Sequence, residues 1–403
     1  MAEWPPPAVA ADSIARRRAR RERQRRARRR RRVVLLAIFL AFAGGVAFGA
    51  SAGNEKRNAA PKQDEAAPAQ PVVKRAVKKP RRIPLHVERP SEIRGVHVTM
   101  ALASIPGKLA RYVTLPGVNA IELDVKDENG KIGFVSAAVP LGRQIGAAQP
   151  YYKPRQATRF LHSRGIYVIG RVVSFEDPVL SEKRPELAIH TADGGVWHNN
   201  GGLGWTNPYN RRVWKYLVDV GVAAAKLGFD EIQFDYVRFP SDGDLSLIRY
   251  PGAHPQPMGW TIPAFVQYAA KRLHPLGVDV SVDVFGLSAT RDLGIGQYPR
   301  RLGQYVDAVY PMVYPSHYNP GEYGIPDPNA APGQTVARSL NDFTFALSGR
   351  KARLVPWLQD FPLGRTYTLA DVRAQVAAAR QFRTAGFLLW NPLGVYTAGG
   401  TMP

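Results

Sequence analysis

The sequence predicts a (β/α)8 TIM barrel over residues 91–403. Eight short apolar or alternating runs recur there with helix-type segments between them, the signature of βα units and a parallel sheet. The length of this part suits eight such units with insertions. A doubly wound open sheet is the rival arrangement, and no G-x-G-x-x-G turn follows the first run to support it.

The segments before the barrel carry most of the charge. Of the formal +23, residues 1–82 hold 22 Lys/Arg against 6 Asp/Glu, a balance of +16, which leaves +7 for the rest. The high pI therefore belongs to the tail and does not make the globular part a nucleic-acid binder. Residues 1–32 form a basic tail expected to lie in the cytoplasm, with 13 arginines and one glutamate in 16–32. Such a run cannot fold alone. Residues 33–50 are 18 uncharged, mostly apolar residues, a length that reaches a bilayer-spanning helix. Arginine on the N-terminal side puts that side in the cytoplasm by the positive-inside rule. The expectation is a single-pass signal anchor in the cell membrane with an extracytoplasmic C-terminal domain. Secretion after cleavage near Ala50-Ser-Ala52 is the alternative, and a long basic segment before the apolar run argues for the uncleaved form. A phosphate-binding role for the arginine run is the third reading; its abutment to an apolar span favours topology over nucleic acid. Residues 51–90, rich in Ala, Pro, Lys and Arg, read as a disordered, semi-extended linker. There is no cysteine, so no disulfide supports the exported part, and a domain of this size does not need one.

The expected strands are 95–100, 120–127, 167–175, 231–240, 279–287, 308–315, 353–361 and 386–392. The fourth is the most informative. A helix-type run over 211–227 is stopped by Gly228, suited to a C′ cap, and the strand follows at once. Alternation with period two turns Ile232, Phe234 and Tyr236 one way and Gln233, Asp235 and Val237 the other. With the first set against the helical layer, Asp235 faces inward near the C-terminal end of its strand, where barrel enzymes keep their chemistry. Segments 190–208, 241–261 and 316–333 are rich in Gly, Pro and aromatics, and all follow strands, so all rim that same end.

The same alternation lists polar and aromatic residues for the mouth: His97, Thr99, Glu122, Asp124, Lys126, Arg171, Asp235, Ser281, Asp283, Tyr310, Tyr314, Trp357, Gln359, Asp360, Trp390 and Asn391, with Arg238 near the end of the fourth strand. Glycosidic cleavage requires two carboxyl groups flanking the bond, one to protonate the leaving oxygen and one to act as nucleophile or base. Aromatic rings cover sugar C–H faces, while Arg, Gln and Asn meet hydroxyls. Asp235 and Asp283 are the preferred catalytic pair, because each lies two residues beyond another inward polar position on neighbouring strands; Asp124 and Asp360 follow. His97, Asp124, Lys126, Arg238, Tyr310, Tyr314, Trp357, Gln359, Asp360, Trp390 and Asn391 are assigned to substrate binding. Metal hydrolysis lacks support, since the histidines show no ligand spacing, and no G-x-S-x-G elbow marks a serine hydrolase. No cofactor is expected.

Trp205-Thr-Asn-Pro208, the helix after it and Gly228-Phe-Asp-Glu-Ile-Gln-Phe-Asp-Tyr-Val-Arg-Phe-Pro240 resemble glycoside hydrolase families with an amylase-like barrel, especially the domain of unknown function 4015. Arg94-Gly-Val-His-Val-Thr99, Glu122-Leu-Asp-Val-Lys-Asp127, Val282-Asp-Val-Phe-Gly286, Tyr310-Pro-Met-Val-Tyr314 and Pro356-Trp-Leu-Gln-Asp360 are similar to the same family, so the resemblance covers nearly all of 92–395. It implies a barrel and a carbohydrate-active role. It also implies Asp235 as nucleophile, with Asp283 standing where amylase-like barrels place a glutamate acid. The fourth strand resembles the chitinase D-x-x-D-x-D-x-E as well, but Gln233 and Val237 occupy carboxylate positions, which speaks against substrate-assisted chemistry.

The resulting expectation is a membrane-anchored glycoside hydrolase acting on a cell-envelope or extracellular polysaccharide or oligosaccharide. A non-catalytic glycan-binding barrel is the alternative.

Overall fold

The computed structural model describes residues 85–402. The expected tail, the apolar span 33–50 and nearly all of the linker lie outside the described residues; within them, no helix is long and apolar enough to cross a membrane.

Nine strands form one closed parallel sheet: β1 (Ile93–Val98), β2 (Ala120–Lys126), β3 (Tyr167–Val173), β4 (Glu231–Asp235), β5 (Asp279–Phe285), β6 (Ala308–Met312), β7 (Arg353–Leu354), β8 (Trp357–Gln359) and β9 (Gly386–Trp390). The order runs β5-β4-β3-β2-β1-β9-β8-β6, and β5 pairs with β6 to close the barrel. β7 and β8 are one barrel stave, the expected run 353–361, interrupted at Val355-Pro356. Pro356 has no amide hydrogen to give the ladder, although its carbonyl still accepts from Leu388 N at 3.0 Å. The barrel therefore has eight staves.

Alternation assigns the two faces. Leu123, Val172, Ile232, Phe234 and Val282 point outward and pack under helices such as Arg211–Ala225 and Met258–Leu273. Ile93, Ala120, Tyr167, Ile169, Ala308, Tyr310 and Leu388 fill the interior, in the layered manner of such barrels. The bottom is shut by Arg89, from the segment before β1, which meets Glu231 at 3.4 Å and Asp279 at 2.5 Å. Tyr167 donates to Glu231 at 3.0 Å. Asp230, the first acid of the chitinase-like pattern, also lies at this end. It accepts from Val87 N at 2.9 Å and Val168 N at 2.8 Å and contacts His162 at 2.9 Å.

The fourth stave departs from expectation. It ends at Asp235, because Tyr236 adopts φ +48°, a left-handed conformation costly for a side chain with a Cβ. The turn resets the alternation, so Tyr236 lines the cleft while still packing on the core, and Val237 is buried in the core. Val237 is thus not an inward position.

The barrel seam gives a stability test. Gly386 pairs with Ile93 in the β1–β9 register at φ +124°, and a Cβ there would run into the Ile93 backbone. Gly386→Ala is expected to cost about 2–4 kcal/mol, read in denaturant unfolding; an unchanged midpoint would contradict this packing.

Candidate active site

At the C-terminal ends of the strands the interior turns from apolar to ionic. Arg171 on β3 is the hub. Its Nε and Nη2 reach Asp235 Oδ2 at 3.0 and 2.8 Å, and its Nη1 reaches Asp124 Oδ1 at 2.9 Å and Glu128 Oε2 at 3.3 Å. Burial disfavours the arginine's charge, but Asp235, Asp124 and Glu128 more than offset it and hold the guanidinium protonated. The second oxygen of Asp235 accepts from its neighbour's amide, Tyr236 N, at 2.6 Å. The left-handed turn at Tyr236 thus serves to aim the carboxylate's own chain at it.

Asp283 lies on the neighbouring stave, one step beyond the paired Phe234 and Val282. Its Oδ1 accepts from Trp357 Nε1 at 2.7 Å. Burial pushes its carboxyl well above the usual carboxylate range, and the negative charges of Asp235 and Glu122 add to that. Behind the pair, His97 Nδ1 bonds Glu122 Oε2, and Nε2 sits 3.9 Å from Asp124. His97 stacks on Trp390 with ring centroids 4.3 Å apart. Burial pushes His97 down to about 4, with Arg171 adding to the effect against the pull of Asp124, so the imidazole is neutral near pH 7. Burial likewise raises Glu122 well above its usual value.

A cleft of about 460 Å³ opens over these groups. Among the residues chosen from sequence, Arg171, Asp235, Asp283, Arg238, Tyr314, Trp357 and Trp390 line it; His97 and Asp124 stand directly behind Arg171. Others lie elsewhere. β2 slips its register with β3 between Asp124 and Lys126, and Lys126 reaches Val173 O at 2.8 Å and Asp177 at 3.1 Å, away from the cleft. Tyr310 is fully buried one layer deeper, near Glu231. Gln359 is held by Ser316 N and Phe361 O, at 3.1 and 3.0 Å. Asp360 accepts from the Thr397 amide and hydroxyl at 2.7 and 2.6 Å, and Asn391 donates to Asp360 O at 2.5 Å. Asp360 and Asn391 brace the C-terminal segment and Gln359 ties the 316 loop to its own strand end; none of the three lines the cleft. Among the described residues, no three His, Asp or Glu side chains are grouped so as to hold a metal ion.

Several wall residues were missed. Phe285 and Met312 follow from the alternation that gave Asp283 and Tyr310, but their side chains are apolar; His317 and Tyr318 belong to the segment 316–333, which stands out in the sequence only as rich in Gly, Pro and aromatics. Glu176, just past β3, left no periodic signal. It is 3% exposed and accepts from Asn199 Nδ2 at 2.8 Å. Burial pushes it up to about 8 even though Arg238 pulls it down.

That shift has a signed consequence. A carboxyl at about 4.5 when unfolded and about 8 when folded contributes stability at low pH that is lost as pH rises between those values. Glu176→Gln, which carries no charge at either pH, should gain on the wild type by a few kcal/mol, of order, between pH 4.5 and 9, measured by thermal melts. A constant difference across that window would refute the burial effect.

Residues 95–396 match the family model described as "Putative glycosyl hydrolase domain". Three of the solved structures similar to the chain are the following. A hypothetical protein from Ruminiclostridium thermocellum ATCC 27405 is 38% identical, with 47% of this chain and 97% of that one covered and a TM-score of 0.44. The glycoside hydrolase domain of PgaB (BpsB) from Bordetella bronchiseptica is 13% identical over 74% of this chain and 94% of that one, with a TM-score of 0.54. The C-terminal domain of a "putative chitinase" from Desulfitobacterium hafniense DCB-2 is 12% identical over 77% and 96%, with a TM-score of 0.50. The latter two share the fold. No curated protein matches.

Proposed function

The chain belongs to the glycosyl hydrolase domain family matched over residues 95–396, and from that premise we propose that it hydrolyses a glycosidic bond in a cell-envelope or extracellular polysaccharide, with Asp235 and Asp283 as its carboxylate pair. The observation that carries this reading is the difference between their surroundings. Asp235 accepts two arginine N–H groups and a backbone amide, the setting of a nucleophile or base. Asp283 is buried with a raised affinity for its proton, the setting of a general acid. Pairs of titratable groups pushed apart by environment mark acid and base roles.

In this mechanism the sugar lies against Trp357, Trp390 and Tyr314, whose rings cover its C–H faces. Asp283 gives its proton to the glycosidic oxygen as the bond to the anomeric carbon breaks. Asp235 attacks that carbon or takes a proton from the attacking water. Arg171 keeps Asp235 from rotating and leaves one of its oxygens shared only with the Tyr236 amide. His97 is neutral, so it adds no positive charge behind the pair, and the proton on Asp283 is favoured by burial first and then by Asp235 and Glu122.

The expected location follows from the segments before the barrel. Residues 1–32 would remain in the cytoplasm, 33–50 would anchor the chain, and 51–90 would hold the barrel clear of the outer membrane face; release by cleavage after the span is the alternative. The full chain should pellet with membranes and resist carbonate washing, while a chain lacking residues 1–50 should not. Equal recovery of both in the soluble fraction would argue against an anchor.

A polysaccharide hydrolysis screen of the full chain tests the activity. One glycan class should yield new reducing ends, and Asp235→Asn or Asp283→Asn should lower kcat by about 10²–10⁴-fold, the worth of general acid–base help; Asp235→Asn should also lower the melting temperature, because it breaks the buried pair with Arg171, whereas Asp283→Asn should lower it less. Specific glycan binding without turnover by the wild type would instead favour a binding module.

A further inference from the structure

Two arginines line the cleft, and their guanidinium groups meet different partners. Arg171 is fully engaged by Asp235, Asp124 and Glu128. Arg238 has no carboxylate within ion-pair distance among the described residues. Its hydrogen bonds run from one nitrogen, Nη1, to Phe239 O and Ser241 Oγ, both at 3.1 Å. Nε and Nη2 have no acceptor among the described residues, and neither is sealed from solvent. That leaves the edge of the fork available to the cleft that Arg238 lines.

The group is also held still. Its carbon lies 4.8, 5.0 and 4.7 Å from the ring centroids of Trp205, Tyr236 and Phe285. Arginine stacks on aromatic faces readily, but stacking supplies no counter-charge. Glu176 faces the same cluster and, raised to about 8, is mostly neutral near pH 7. A cation that is 6% exposed and lacks a carboxylate is costly unless an anion completes it. The Nε–Nη2 edge matches two oxygens of a carboxylate or phosphate in parallel N–H···O bonds.

The geometry points to Arg238 as the receptor for an anionic substituent on the bound sugar, which makes the substrate class an acidic polysaccharide. This rests on the glycosidase reading, in which the same cleft presents the sugar to Asp235 and Asp283. A uronic acid carboxylate and a phosphate ester share the required chemistry.

Calorimetric titration of the full chain carrying Asp235→Asn, which blocks turnover, tests it. The probes are oligouronides of mannuronate, galacturonate and glucuronate, the same oligosaccharides with carboxyls reduced to alcohols, and glycerol-phosphate oligomers. At least one acidic probe should bind tenfold or more tightly than its neutral counterpart; whether uronide or phosphate does so identifies the source of the anion. Arg238→Gln should erase the preference, and Arg238→Lys should retain part of it. If Arg238→Gln fails to fold, the reduced-carboxyl comparison and Arg238→Lys decide. Equal binding of acidic and neutral probes, no binding of any, or a preference surviving in folded Arg238→Gln would overturn the assignment. Acidic glycans bound but never cut by the wild type would sink the hydrolase reading alone; neutral glycans cut equally well by Arg238→Gln would sink this one alone.

Discussion

The ionic layer at the mouth depends on one buried cation. Arg171 lies inside the barrel wall, where a lone guanidinium would be prohibitively costly, and it is tolerable because Asp124 from β2 and Asp235 from β4 close on it from both sides. Those contacts fix the ends of three consecutive staves relative to one another. They also decide which oxygen of Asp235 is occupied, and so how that carboxylate can meet a ligand. Removing either aspartate would leave charge unpaired in the interior, which makes the arrangement stiff as well as ionic.

Burial does the complementary work on Asp283. With no arginine of its own and only Trp357 Nε1 as donor among the described residues, it holds its proton more tightly than an ordinary aspartate, while the neighbouring carboxylate is clasped. Two aspartates on adjacent staves thereby become chemically unlike. His97, Glu122 and Trp390 form the backing of this pair: a neutral ring bonded to a raised carboxyl and stacked on an indole. The left-handed residue Tyr236 links the ionic layer to the aromatic wall, since the same backbone turn that points its amide at Asp235 brings its ring beside Arg238.

Much of this was legible in the sequence, for reasons of period and position. Strand alternation and one-sided loops were enough to expect the barrel and to select Asp235, Asp283, Trp357 and Trp390 as neighbours at one end. What escaped depends on backbone detail that no side-chain pattern carries. A positive φ at Tyr236 reversed the parity of Val237, and a register slip turned Lys126 toward Asp177. Pro356 split a stave because of its missing amide hydrogen. Gln359, Asp360 and Asn391 sit at strand ends as expected, yet their hydrogen bonds are satisfied by Ser316, Thr397 and the C-terminal turn. Glu176 lay outside any strand, where polarity is ordinary and only the folded chain reveals that it is buried.

The raised proton affinity of Asp283 can be measured without knowing the substrate. Carbon-13 NMR of labelled aspartate carboxyls, assigned with Asp283→Asn, follows each group through a pH titration. The result predicted is an Asp283 signal still protonated near neutral pH and titrating well above the usual aspartate range. An Asp283 that ionises in the ordinary range of an exposed aspartate would contradict the separation of acid and base on which the mechanism stands.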